Sequence, residues 1–362
     1  HMGRYICNVG VFISDSLPGW LGGDEIIRKD SSVYFLIFSL FLPVLQMNFL
    51  ASGMLRCSGN MYIPSILNIL MCLLDIIFNF FLIFPKRQIE IMGLNIDIYG
   101  AGLGVKGAAL GTVLAELVTA GGMMWYLCYR SPILKLSGER GHFLLRQDTL
   151  RNAVRISFPM GFEHIAICGA QIMTTIIVAP LGIIAIAANS FAIIAESLCY
   201  MPGYGISEAA TTLVGQSLGA NRLKLLRRFA NIAVWSGISI MGIMGVFMYI
   251  AAPQIIGVMT PIEEIRILGT EILRIEAFAE PMFAAAIVTY GIFVGVGNTF
   301  IPSLMNFGSI WGIRLTLATL LAPTMGLRGV WLAMCIELCF RGVIFLFRLW
   351  QGKWIYKVRL KI

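Results

Sequence analysis

Long apolar runs alternate with short polar connectors along nearly the whole chain. The runs lie near residues 33–55, 63–85, 104–128, 156–180, 183–213, 229–259, 267–295, 301–322 and 328–350. A shorter, glycine-interrupted run occupies 4–22. A helix crossing the hydrocarbon core of a bilayer needs about 20 such residues. In lipid each run must be helical, because a helix satisfies its own backbone N–H and C=O groups. The pattern predicts an all-α, polytopic membrane protein with eight to ten spans.

Composition agrees. Of the 362 residues, 58% are apolar and 13% charged, about half the roughly 25% charged share of soluble domains. That excludes a disordered chain, a collagen and an ordinary cytosolic enzyme. A soluble chain of this size has too little interior to hide so much apolar surface.

The net charge of +8 does not signal nucleic acid, since the basic residues are scattered through the connectors. They sort by side instead. Seventeen of the 27 fall on one side, among them Arg56, Arg130, Arg151, Arg227 and Lys353. Seven, including Arg28, Lys86 and Arg328, fall on the other. The positive-inside rule makes the richer side, with the C-terminus, cytoplasmic. The connector 131–155 is then cytoplasmic too, and its stretch 143–156 is amphipathic enough to lie on the membrane surface. The eight cysteines sit singly, without a C-x-x-C pair, so neither a disulfide framework nor a zinc site is indicated.

An internal repeat organises the chain. GMLRCSGNMYIPSILN (53–68) and GIFVGVGNTFIPSLMN (291–306) match at 7 of 16 positions, at an offset of 238. The same offset pairs Glu25 with Glu263, Pro43 with Pro281 and Pro85 with Pro323. After 16 extra residues in the first copy, GVKGAAL (104–110) meets GLRGVWL (326–332). An even number of spans separates the copies, so they share an orientation. Parallel repeats of this kind build transporters, with a substrate site expected between the halves. The second half carries six spans and the first about four. Projecting the start of the second half, near Arg151, back by 238 predicts roughly 87 further residues upstream of His1 in a parent of two six-helix lobes. The expected divisions are 1–130 for the remainder of the first lobe, 131–155 for the connector, 156–350 for the second lobe and 351–362 for a tail.

With the repeat in place, the residues resemble the multidrug and toxic compound extrusion (MATE) family of cation-coupled antiporters. LPGWLGGDEIIR (17–28) resembles the end of that family's third helix, and GVKGAALGTVLAELV (104–118) its sixth. FPMGFE (158–163) looks like the start of the seventh and VGQSLGA (214–220) the end of the eighth. GVGNT (295–299) is close to the turn before the eleventh. The resemblance implies export of amphiphilic, cationic, drug-like compounds against inward Na+ or H+, by alternating access in the plasma membrane. It implies no other cofactor, no nucleic-acid partner, no enzymatic activity and a monomer. Many members pair an acid on the seventh helix with one on the tenth. Here those positions align with Ile167 and Phe283, so other acids must serve.

An ionisable group in mid-membrane costs about 2.5–3.5 kcal/mol on insertion scales, which makes each one a functional candidate. A carboxylate there can trade a proton, or hold sodium together with carbonyls and amides. Glu276 and Glu280 lie four apart on one helical face and match Phe38 and Leu42 in the first copy. They are candidates for the substrate or cation site, or for pairing with Arg274 or Arg314. Glu163 follows Pro159 on a helix that also carries Gln171. Asp75 with Asn79, Glu116 and Glu196 complete the candidate binding groups. Glu337 and Arg341, four apart, suit a structural pair, and Pro159, Pro281 and Arg314 suit structural or gating roles. Positions alike in both copies, such as Pro64/Pro302 and Asn68/Asn306, read as scaffold. His164 reads as a proton relay or, more plainly, as a packed, hydrogen-bonded histidine.

The G-x-G-x-x-G at Gly102, Gly104 and Gly107 opens a membrane helix rather than a nucleotide-binding unit. Small-residue helix packing explains it. Two further readings compete with drug export. A flippase for lipid-linked intermediates would need a basic cavity, whereas the intramembrane acids outnumber the bases. A non-transporting remnant would follow if a shortened first lobe cannot close its cavity.

Overall fold

A computed structural model describes residues 10–14, 25–91, 94–135, 147–352 and Trp354. Most of the first apolar run, the 136–146 part of the connector, residue 353 and the tail after Trp354 lie outside the described residues, as do Cys7 and the LPGWLGGD segment.

Among the described residues, eight helices are long and apolar enough to cross a membrane, or nine if the bent pair Glu263–Ala277 and Glu280–Gly295 is one span. The described chain forms two units, His1–His142 and Phe143–Ile362.

In the first unit, α1 (Glu25–Cys57) and α2 (Tyr62–Ile83) both pack on α3 (Val105–Trp125). One π-helical turn, Tyr126–Arg130, extends α3. The 16 extra residues of the first copy are accounted for here. They fold as an antiparallel hairpin of β1 (Pro85–Ile91) and β2 (Leu94–Ala101), an element the hydropathy pattern did not predict. Its exit is tied back to the end of α2, with Gly102, Leu103 and Gly104 N–H donating to the carbonyls of Phe84, Leu82 and Ile83.

The second unit holds α4 (Gln147–Val178), α5 (Ile183–Gly219), α6 (Leu223–Met259), α7 (Glu263–Ala277) and α8 (Glu280–Gly295). It continues with α9 (Phe300–Ser309), a π-helical turn at Ile310–Arg314, α10 (Leu315–Met325) and α11 (Leu327–Trp350). Residues 147–155, expected on the membrane surface, are the first turns of α4. They run without a break into its apolar part, through Pro159. Helix α8 is central and packs on α5, α6 and α11. Small residues allow the close approach. A Cβ on Gly291 would meet the Ser207 carbonyl oxygen at 2.7 Å, and Ser207 and Thr211 hydroxyls donate to the carbonyls of Ile287 and Gly291. That is the packing expected where lipid supplies no hydrophobic drive between helices.

The repeat is visible in backbone geometry. Asn60 N–H donates to the Leu55 carbonyl and Asn298 N–H to that of Phe293, two bonds 238 residues apart. Each turn holds a positive-φ glycine, Gly59 at 89° and Gly297 at 72°. Helices α2 and α9 then start at equivalent residues, with Pro64 and Pro302 in their first turns, where a missing N–H costs no intrahelical bond. Gly104 (φ 54°, ψ −127°) and Gly326 (φ 60°, ψ −140°) share a second conformation that only glycine adopts readily.

One difference between the copies bears on function. Helix α1 runs unbroken through Pro43. At the equivalent Pro281 the span breaks into α7 and α8, bent by 57°.

Candidate functional site

The second unit gathers most of the candidate acids. Glu163 sits on α4, one turn after Pro159, and is 5% exposed. Its carboxylate is held by three donors from two other helices. Tyr290 on α8 donates its hydroxyl to Oε2 at 2.7 Å, and Ser303 on α9 donates to the same oxygen at 2.5 Å. Asn306 on α9 donates its amide to Oε1 at 2.5 Å. Trp311 strengthens the same junction, donating its indole N–H to the Ala166 carbonyl on α4 at 3.1 Å. Three donors from two neighbouring helices thus satisfy both carboxyl oxygens of Glu163.

Glu276 and Glu280 present the opposite case. They flank the break between α7 and α8, and both are fully buried. None of their four side-chain oxygens has a hydrogen-bond partner. The break is local chemistry. Pro281 lacks the N–H that would bond the Ala277 carbonyl four residues back. Instead Ala279 N–H donates to the Glu276 carbonyl and Phe283 N–H to that of Ala279, both at 2.8 Å. Gly245 on α6 presses against the break, where a Cβ would meet the Ala277 carbonyl oxygen at 2.8 Å.

Further charges face this pair. Glu276 feels Glu196 on α5, Glu280, Glu337 on α11 and Arg314 of the π-helical turn. Glu196 lies in the field of both Arg314 and Arg341. Glu337 and Arg341 form a buried ion pair at 3.1 Å, and Ser309 donates to Glu337 Oε1 at 2.5 Å.

The alternative pairing of Glu276 and Glu280 with Arg274 or Arg314 is not made. Arg274 donates instead to the Tyr249 carbonyl and stacks over that ring at 5.2 Å. His164 is exposed rather than packed, whereas Glu163 and Ala166 on the same helix are buried. The side chains of Gln171 and Glu208 are also exposed. Asn306, read as scaffold because the repeat keeps it, is one of the three donors to Glu163.

The first unit separates its own candidates into two pairs. Glu116 on α3 accepts from Asn48 on α1 at 2.6 Å. Asp75 accepts from Asn79 within α2 at 3.0 Å. A cavity of about 490 Å³ lies at the α1–α2 turn, lined by Asn60, Tyr62 and Ile133 among others, and holds none of the candidate acids.

Sequence reasoning passed over Tyr290, Ser303 and Asn48. Each is a polar residue inside an apolar run, which was the available signal. Among the described residues no cluster of metal-ligating side chains occurs.

The sequence matches the MatE family model over residues 2–81 and 159–320. The chain belongs to the MATE family. The two matched segments of this MATE chain end within one residue of each other once the repeat offset is applied. It is 27% identical over 309 residues to a probable multidrug resistance protein NorM of Thermotoga maritima, an alignment covering 84% of this chain and 63% of that protein. It is 24% identical over 357 residues to the uncharacterized transporter YisQ of Bacillus subtilis, covering 97% and 75%. The chain thus spans less than two thirds of the length of the NorM relatives it matches. A solved outward-facing multidrug resistance MATE family transporter shares the fold, with a TM-score of 0.86 at 20% identity over 99% of this chain and 76% of that one.

Proposed function

We propose that this protein is a secondary active exporter of amphiphilic, cationic, drug-like compounds, exchanged for an inward-moving Na+ or H+ by alternating access. It acts as a monomer in the plasma membrane, with its C-terminus in the cytoplasm, as a transporter rather than an enzyme. Membership of the MATE family and relatives named as multidrug resistance proteins support the reading. The observation that carries it is the set of buried acids in the second half. Glu163, Glu276 and Glu280 are buried, and the matching positions of the first copy that can be aligned, Phe38 and Leu42, are apolar. Such asymmetry points to chemistry rather than scaffold, because mid-membrane acids are costly. Acids that outnumber the neighbouring bases suit a cationic cargo, which favours drug export over a lipid-phosphate flippase. Residues 131–155 serve as the connector between the halves.

The test is dye efflux. The full chain, expressed in a host lacking its own efflux pumps, should lower the accumulation of a cationic dye, and an ionophore that collapses the cation gradient should restore it. Accumulation identical to that of the empty host overturns the proposal.

A further inference from the structure

Uncompensated positive charge collects where α6 begins and α11 ends. Arg222, Lys224, Arg227 and Arg228 occupy the N-cap and first turns of α6, which hold no acid. Arg348 stands in the last turn of α11. Both helices pack on α8, and at this end Leu226, Leu349 and Trp354 share one buried core. Arg227 Nη2 lies 3.9 Å from where a Cβ of Gly352 would stand, just past the end of α11. Two helices distant in sequence thus bring five cations to one end of the second unit.

The chain offers little to offset them. Residues 209–262, 281–336 and 338–362 contain no Asp or Glu. Glu208 on α5 is eleven residues before that helix ends, about 16 Å along its axis. Among the described residues, no ion pair involves any of the five cations. The four on α6 are exposed. Arg348 is half-buried, with its guanidinium over the Phe293 ring at 5.5 Å and no hydrogen-bond partner for Nε. The positive end of the α6 dipole adds to this field, but the patch stands on side chains from two helices.

The neighbouring apolar side chains indicate the missing anion. Helices α6 and α11 are both long and apolar enough to cross a membrane. Phe347 and Trp350, on either side of Arg348, are 62% and 67% exposed. Ile232 and Trp235, one to two turns beyond Arg228, are exposed too. A tryptophan at the end of a span marks the headgroup level of a bilayer. The patch therefore lies beside lipid phosphates rather than out in water, which favours a lipid over a soluble polyanion. Guanidinium groups suit phosphate oxygens, because they present paired N–H donors.

We propose that the start of α6 and the end of α11 form a binding site for an anionic phospholipid. Arg227 and Arg348 take the headgroup phosphate, with Arg222, Lys224 and Arg228 around it. The site does not depend on the export reading.

Native mass spectrometry of the purified full chain tests this, with phosphatidylglycerol or phosphatidylcholine of the same acyl chains added in neutral detergent. The wild type should retain phosphatidylglycerol more tightly. Arg227→Gln and Arg348→Gln should each cut that preference about fivefold, the effect of one basic residue at an anionic surface. Arg28→Gln, in the first unit, should leave it unchanged. Equal retention of the two lipids by the wild type overturns the proposal, and that comparison stands even where a variant fails to fold. A preference that survives in the folded Arg227→Gln/Arg348→Gln double variant overturns the location. Displacement of the lipid by millimolar inorganic phosphate would show a site for free phosphate and overturn the lipid. Displacement by polyglutamate or a single-stranded oligonucleotide at physiological salt would overturn it in favour of a soluble polyanion.

Discussion

Asn306 on α9 donates its side-chain amide to Glu163 on α4, 143 residues earlier in the chain. With Ser303 and Tyr290 it turns a mid-membrane carboxylate into a tie between three helices. Replacing Asn306 with Ala removes one donor from a buried anion. It should lower stability by about 1–3 kcal/mol, read as a drop in melting temperature in detergent. Asn68→Ala, at the equivalent place in the other copy, should do less, because Asn68 is only half-buried. Equal effects would mean that Asn306 serves packing alone.

Glu163→Gln keeps the shape of the side chain and an acceptor for Asn306 while removing the charge. If Glu163 takes part in coupling, gradient-driven dye efflux per folded molecule should fall about tenfold or more, a barrier change of roughly 1.4 kcal/mol. Melting should fall only by what weaker, neutral hydrogen bonds to Tyr290, Ser303 and Asn306 cost, about 1–2 kcal/mol. Unaltered efflux in Glu163→Gln, Glu276→Gln and Glu280→Gln together would remove all three from the mechanism.

The Glu337–Arg341 pair has its own test. Breaking a buried ion pair from one side strands a charge and costs about 3–5 kcal/mol. Glu337→Leu and Arg341→Leu should each be strongly destabilising. The double replacement should recover much of the loss, since it leaves neither charge behind. Thermal unfolding of the three variants decides it, and additive losses would show that the pair is not coupled.

Gly245 sets how closely α6 approaches the helix break. A Val there would drive its Cβ into the Ala277 carbonyl oxygen, a backbone atom 2.8 Å away. Overpacking of this kind costs about 1–3 kcal/mol. Gly242, three residues earlier, would place a Cβ at 3.7 Å from Pro281, an ordinary contact. Gly242→Ala should therefore melt near the wild type while Gly245→Val melts lower.

Gly104 and Gly326 should behave as twins. Both open a helix from a positive-φ conformation with strongly negative ψ, and neither would place a Cβ against a neighbour. Alanine at either site should thus cost only backbone strain, about 1–3 kcal/mol. Similar melting shifts for the two variants would confirm that the repeat extends to energetics.

The sequence by itself determined the described apolar helices, the internal repeat and the family. Those are legible because hydropathy over about 20 residues is a local property. A repeated turn also needs the same glycine and proline at the same spacing wherever it occurs. The hairpin at Pro85–Ala101 escaped this reading, as a short polar insertion gives no apolar run to mark it. Only the tertiary structure decided which acids are partnered. Glu163 and Glu276 look alike as single glutamates in apolar helices. One receives three donors from helices distant in sequence, and the other receives none. The break at Pro281 and the unbroken helix at Pro43 differ for the same reason. A proline removes one hydrogen bond in either place, and the helices packed around it decide whether the span bends.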